Sequence, residues 1–438
     1  MRILFLSNRP AKNSQASTVT EYLDALVSFS VNEVYEISML NNFPRLIDLD
    51  RFDCVITHYS LSLGPMIQHY LGKRLIRKLC NYKGLKVAFL QDEYREIQTY
   101  WRNLNELGIH VLFSCVPVGE ISKVYPASKV PNLRVVNVLT GYVSERLVAT
   151  NVPSIADRPI DVGYRTRKPP YWLGRLGFEK WWIAQEFSAR AQNLGLNIDF
   201  SDTEGQRLYG AKWDKFVSSC RSMIGVESGA SIIDFDGRLE RQVDEYCAEY
   251  PSATFDEVFV KFLTGYEGSL RLHQISPRCF EAAALRTPMI LFEGDYSGIL
   301  RPNRHYIPLK KDFSNFSEVA AKLNDSAALQ ELADRTYEEI ALDPKYSYRE
   351  FVKLVDNVLS AERKENKIKP AKLFYSKREF NWRVWLSLDY FVGRNVAMIL
   401  QRLFLGLPAG RRFVFGCWNY LPIWLQETVR PLARVLSR

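Results

Sequence analysis

Three places in this 438-residue chain gather residue types able to do chemistry. The densest is residues 275–309, ISPRCFEAAALRTPMILFEGDYSGILRPNRHYIPL. Ser276 in the N-cap position and Pro277 at the first helical position open a short helix that carries Arg278 and Glu281. A buried-strand signal at 289–292 follows, and then a turn containing Gly294 and Gly298. A helix amino end and an arginine suit phosphate, and a carboxylate can accept hydrogen bonds from both ribose hydroxyls. The segment fits a nucleotide diphosphate. Arg278 and Glu281, three apart, could instead pair with each other. That pairing leaves the glycine turn beside them without a reason.

The second place follows a strand signal at 160–164 and reads Arg165-Thr166-Arg167-Lys168. A helical pattern from Phe178 carries Lys180 in its first turn, where a cation opposes the helix dipole; a bound diphosphate would supply the compensation. Glu227 begins a small polar run, Glu227-Ser228-Gly229-Ala230-Ser231, that lets a ligand approach backbone closely. His305, at a strand edge, is a further cleft candidate. The third place is amino-terminal. His58 follows the strand signal 54–57, and Gln91-Asp92-Glu93-Tyr94-Arg95 follows 86–90. Taking a proton from an attacking hydroxyl needs a carboxylate or a histidine, which nominates Glu93, Asp92 and His58. The acidic pair could equally be an N-cap and a first-turn residue, and a neutral histidine could sit satisfied in a core.

Strand signals near 3–6, 34–37, 54–57, 86–90, 111–115 and 135–139 alternate with helical patterns, which predicts a doubly wound parallel sheet. No G-x-G-x-x-G follows the first strand and no Walker loop occurs. On such sheets functional residues sit past the carboxyl ends of strands. The polar, proline-bearing stretch 151–159 reads as a linker. The expected organisation is therefore 1–155, 156–345, a closing helix over 346–366 and a tail over 367–438.

Residues 276–284, S-P-R-C-F-E-A-A-A, resemble the S-P-R-x-F-E-A-x-A of the spore-coat-type (spore maturation protein-like) subgroup of GT-B-fold group-1 glycosyltransferases. The Q-D-E-Y-R run looks like its counterpart there. The resemblance implies an α/β chain of two Rossmann-like domains facing a cleft, acceptor side first and donor side second. It implies transfer of a sugar from a nucleotide-sugar donor, which is a substrate and not a cofactor, to a glycan or lipid-linked acceptor. It matches Arg165, Arg167 and Lys180 to the cations that hold the donor diphosphate. Glu281 falls on the second of two glutamates eight apart, the one that contacts ribose, and His273 falls on the first. His58 matches a histidine near the donor sugar. A nucleotide-sugar epimerase on the same fold, or a catalytically silent sugar-binding scaffold, are the other readings.

Asp234-Phe235-Asp236 spells the D-x-D of metal-dependent transferases, but Asp48-Leu49-Asp50 does so too, and the five histidines show no ligand spacing. No metal site is expected. Seven cysteines without C-x-x-C spacing predict reduced thiols in the cytoplasm. The apolar run at Met1–Ser7 is too short for a signal peptide.

The net charge of +9 is unevenly placed: residues 361–438 hold 15 Lys/Arg against 5 Asp/Glu, leaving 43 against 44 in the rest. A near-neutral body argues against nucleic acid as a partner. In the tail, basic residues interleave with Phe, Tyr and Trp. Its longest charge-free stretch, 413–426, falls short of a bilayer span. The pattern predicts helices lying in the headgroups of an anionic membrane, on its cytoplasmic face. A helical appendage packed on the body, or a protein-binding segment, are the alternatives.

Overall fold

The structure is a computed structural model that describes residues 1–11, 13–387 and Tyr390. Its first sheet comprises β1 (Arg2–Ser7), β2 (Glu33–Ser38), β3 (Cys54–Thr57), β4 (Leu85–Leu90), β5 (Val111–Ser114) and β6 (Arg134–Asn137). The strand order is β2-β1-β3-β4-β5-β6 and every pairing is parallel. β3 and β4 are buried at every position, as unbroken apolar strands must be when helices cover both faces. The second sheet comprises β7 (Ile160–Arg165), β8 (Ile198–Ser201), β9 (Cys220–Gly225), β10 (Met289–Phe292) and β11 (Ile307–Leu309). Its order is β11-β10-β9-β7-β8, again all parallel. Both orders reverse after the first strand, which creates a crevice between β1 and β3 and another between β7 and β9. Two Rossmann-like domains facing a cleft constitute the expected α/β, GT-B architecture.

Among the described residues, two of the connections between the domains are extensive. Helix Tyr348–Glu365 leaves the second domain and packs Tyr348, Phe351, Val352 and Val355 against Tyr22, Phe5 and Phe89 of the first. Asp356 on that helix accepts hydrogen bonds from Ser30 Oγ (2.7 Å) and from the backbone N–H of Val31 (2.9 Å). The other connection is an arm over residues 228–275. The Asp234 N–H donates to Tyr94 O (2.9 Å), and the Gln98 N–H donates to Phe235 O (2.9 Å). Ile233, Leu270 and Leu272 of the arm are buried in the core of the first domain. Arg95 pairs with Glu240 across the same seam.

The local reading departs from the structure in two places. The helix expected from Phe178 begins at Gly174 and runs Gly174–Ala191, which puts Lys180 in the second turn. Its free N–H groups are capped from the arm: Arg175 N–H donates to Glu267 (3.2 Å) and Leu176 N–H to Ser231 Oγ (3.2 Å). Strand β8 and helices Ala211–Ser218 and Arg238–Glu249 were not anticipated, being short, polar or without a local start signal. The D-x-D at Asp234 is a cap, since its carboxylate accepts the N–H groups of Gly237 (2.9 Å) and Glu240 (2.8 Å).

The start of the tail packs on the body. Tyr375, Phe380 and Tyr390 are buried in the first domain's core, with Phe380 4.9 Å from the ring of Tyr35. Apart from Tyr390, residues 388–438 lie outside the described residues, so the expectation for the tail's aromatic stretch falls there. No helix among the described residues is long and apolar enough to cross a membrane.

Candidate functional site

A cavity of about 460 Å³ lies between the domains at the carboxyl ends of β7 and β9. The second domain lines it with Arg165, Arg167, Lys180, Glu227, Ser276, Arg278 and Glu281, all nominated from sequence. The first domain adds Thr18, Tyr59, Gln91, Tyr94 and Thr140.

Lys180 reaches the cavity because the end of β7 is fastened to its helix. Tyr164 OH and Thr166 Oγ1 both donate to Lys180 O (3.0 and 3.1 Å). Its ammonium donates to Gly229 O (2.9 Å). Gly229 has φ of 100°, and a Cβ there would lie 1.8 Å from Leu272 O. Only glycine can present that carbonyl. Burial pushes the Lys180 pKa down to about 8, against the opposing pull of Asp92 and with the added push of Arg278 and Arg167.

Arg278 lies beside two rings, its guanidinium carbon 5.7 Å from the Tyr164 centroid and 5.4 Å from that of Trp213. This fixes the group while leaving its N–H edges for a ligand. Glu281 does not pair with Arg278. Trp213 Nε1–H donates to Glu281 Oε2 (2.8 Å) and Thr18 Oγ1–H to Oε1 (3.2 Å). Burial raises the Glu281 pKa, partly offset by the Trp213 hydrogen bond.

Helix Pro277–Ala284 begins at the cavity, and the Ser276 side chain makes no capping hydrogen bond to it. Pro277 has no N–H and the Cys279 N–H donates to Ser276 O (2.9 Å), which leaves the Arg278 N–H as the first-turn donor beside the space that Arg278 and Lys180 border. Among the described residues, Arg167, Lys180 and Arg278 have no carboxylate partner. Arg165 does: it pairs with Asp199 on β8 (2.9 Å) and lies 4.0 Å from the Phe216 ring centroid. Three cations with no carboxylate in direct contact, beside a helix amino end, make a site for a multiply charged anion.

Glu227 and the glycine turn form one unit. Glu227 accepts from Tyr296 N–H (2.8 Å), and its Oε2 meets His273 Nδ1 at 3.0 Å. Tyr296, Ser297 and Gly298 are consecutively left-handed, with φ of 47°, 57° and 68°. A Cβ on Gly294 would fall 2.7 Å from Glu227 Oε2. His273, Gly294 and Gly298 do not line the cavity; His273 and Gly294 adjoin its wall through Glu227.

The amino-terminal candidates separate sharply. Glu93 is buried, and its carboxylate accepts from Ser114 Oγ (2.8 Å), Cys115 N–H (3.2 Å) and Tyr125 OH (2.5 Å). Burial raises its pKa to about 7 against those hydrogen bonds. The structure gives it an anchoring position beneath the loop rather than a place in the cavity. His58 is also fully buried. Its Nδ1 accepts from Ser60 N–H (3.1 Å), its ring lies 3.8 Å from that of Tyr59, and burial holds its pKa well below the usual range. It supports the cavity residue Tyr59 instead of reaching the cavity. Asp92 is exposed, with φ of 59°, at the end of β4 on the side of Lys180. His305 lies away from the cavity, where it joins Glu339 (2.8 Å) and the N–H of Arg301 (3.1 Å).

Sequence reasoning missed Thr18 and Trp213, the two partners of Glu281. Among the described residues no cluster of three or more His, Cys, Asp or Glu could hold a metal ion.

No protein-family model matches the chain, nor does any curated protein. Several solved structures are similar to it. T4 phage BGT in complex with its UDP-glucose substrate is 12% identical, with a TM-score of 0.43, over 84% of this chain and 98% of that one. An alpha-glucosyltransferase in complex with UDP and DNA is 11% identical, with a TM-score of 0.49, over 81% and 99%. HepE of Anabaena in complex with UDP is 11% identical, with a TM-score of 0.43, over 82% and 100%.

Proposed function

We propose that this chain is a glycosyltransferase that moves a sugar from a nucleotide-sugar donor to an acceptor hydroxyl. The acceptor is a glycan or a lipid-linked sugar at the cytoplasmic face of a membrane, and no metal ion is needed. The observation that carries the reading is the convergence of Lys180, Arg278 and Arg167 with the amino end of helix Pro277–Ala284 in one interdomain cavity. The acceptor oxygen bonds to the sugar's anomeric carbon as the bond from that carbon to the diphosphate oxygen breaks. The electron pair leaves on the diphosphate. Lys180 and the side chain and backbone N–H of Arg278 stabilise that growing charge, the work a divalent cation does in other transferases. Glu281 receives the ribose hydroxyls beside the cations. Asp92, the exposed carboxylate of the three amino-terminal candidates, takes the acceptor proton. Closure of the domains excludes water that would hydrolyse the donor.

Purified protein offered UDP- and GDP-sugars should release nucleoside diphosphate slowly on its own and faster with acceptor, in the presence of EDTA. Asp92→Asn should retain donor binding and lose release. Failure to bind any nucleotide sugar would refute the reading. A second reading, donor binding without turnover, draws on His273 standing where the resembled motif has its first glutamate, and on its pairing with Glu227. It predicts tight binding with no release under any condition.

A further inference from the structure

We propose that helix Lys377–Leu386 docks the protein on an anionic lipid bilayer through the face that carries Arg378, Trp382, Trp385 and Leu386. The inference rests on the membrane reading above and assigns it a surface.

The helix is fixed to the body. Ser376 caps it by accepting from Glu379 N–H (3.1 Å). Phe380 is buried against Tyr35 and Phe52. Just before the helix, Tyr375 O accepts from Tyr35 OH (2.8 Å) and its hydroxyl accepts from Asp48 N–H (3.1 Å). Just after it, Tyr390 OH donates to Ser38 O (2.8 Å). Anchored at both ends and along one face, the helix cannot turn its other face inward.

Among the described residues nothing packs on that other face, which is largely apolar. Arg378, Trp382 and Trp385 follow at intervals of four and three, so they share one side, opposite Phe380. Trp382 is 58% exposed and Trp385 64%. Leu373 and Phe374, just upstream, are also exposed. Large exposed aromatics that no described residue covers call for a partner.

Charge selects the partner. Lys367, Lys369, Lys372, Lys377 and Arg378 are all exposed. Glu379 is the sole acidic residue from 367 to 387, and Arg51 (3.4 Å) and Arg383 (2.9 Å) occupy it. Tryptophan with a basic rim matches the headgroup region of an anionic bilayer, where indole sits at the interface and lysine meets phosphate. The sequence beyond 390 continues the pattern with Arg411, Arg412, Trp418 and Trp424. Ser38, which Tyr390 grips, ends β2, an edge strand of the first sheet. Docking here therefore turns the first domain, the proposed acceptor side, toward lipid.

The test is flotation of the full chain with vesicles of phosphatidylglycerol and phosphatidylcholine, beside vesicles of phosphatidylcholine alone. Wild-type protein should float with the anionic vesicles, and less at 1 M than at 0.1 M salt, where the screening length shrinks from about 10 to about 3 Å. Trp382→Ala with Trp385→Ala should lower the bound fraction by at least about tenfold, with unchanged thermal unfolding and UDP binding. If the double variant floats like wild type, the assigned face is wrong while the membrane reading stands. If wild type does not float, both fail, and nucleotide binding is untouched by either result. Self-association that the double variant abolishes, without flotation, would make a second copy the occupant and overturn the proposal.

Discussion

Thr18 and Glu281 meet across the cleft, the threonine hydroxyl of the first domain donating to the glutamate of the second at 3.2 Å. Trp213 holds the other carboxylate oxygen at 2.8 Å. Glu281 is thus positioned before any ligand arrives, with lone pairs to spare for ribose. Glu281→Gln should weaken UDP binding by about 10–100-fold, the worth of hydrogen bonds to a charged acceptor. Thr18→Ala, which removes only the interdomain contact, should change affinity by less than about fivefold. Calorimetric titration of both variants checks the pair.

Lys180 gives opposite pH trends for ligand and fold. Its pKa in the folded protein is depressed to about 8 from the ordinary 10.5. Between those values the unfolded chain holds more protons than the folded one, so this residue's contribution makes the protein more stable as pH rises through that window. A diphosphate binds the charged ammonium, so its affinity should fall as pH climbs above about 8, approaching tenfold per pH unit. Lys180→Arg stays charged and should flatten the affinity profile. Titrations at pH 7, 8 and 9 beside urea melts at the same pH values measure both trends.

Glu93 should behave as an anchor. Removing it leaves Ser114, Cys115 and Tyr125 with buried donors facing nothing, at about 1–3 kcal/mol for each unsatisfied group. Glu93→Ala should lower stability by about 3 kcal/mol in chemical denaturation. Its raised pKa, about 7, means that ionising it costs folding free energy. That cost is absent below about pH 4.5 and grows as pH rises to about 7. Glu93→Gln, which cannot ionise, should therefore compare best with wild type above pH 7.

Gly229→Ala tests how Lys180 is aimed. A methyl group 1.8 Å from Leu272 O, on backbone at φ of 100°, must displace the arm. A destabilisation of about 2–4 kcal/mol is expected, with loss of UDP affinity in the protein that remains folded. Thermal unfolding with and without UDP reads both effects.

The features legible in the sequence were those with local causes. Ser276-Pro277 announced a helix start, and apolar runs announced the strands whose ends carry Arg165, Arg167 and Glu227. The illegible ones depend on distant partners. Thr18 and Glu281 are 263 residues apart, and nothing near Trp213 signals its indole's target. Asp199 sits on an edge strand too polar to register, yet it decides that Arg165 is neutralised while Arg167 is not. Asp92 and Glu93 read as equivalent neighbours. The left-handed backbone at Asp92 sends one carboxylate to solvent and the other into the domain, a division that period and composition do not encode.

Calorimetric titration of UDP and GDP, each beside its parent nucleoside, into wild type and into Lys180→Ala with Arg278→Ala tests the central claim most directly. Charge-assisted contacts worth about 1.5–3 kcal/mol each predict micromolar-range binding of at least one diphosphate, far tighter than the nucleoside, and largely lost in the variant. Equal affinity for diphosphate and nucleoside, or undiminished binding in the variant, would contradict it.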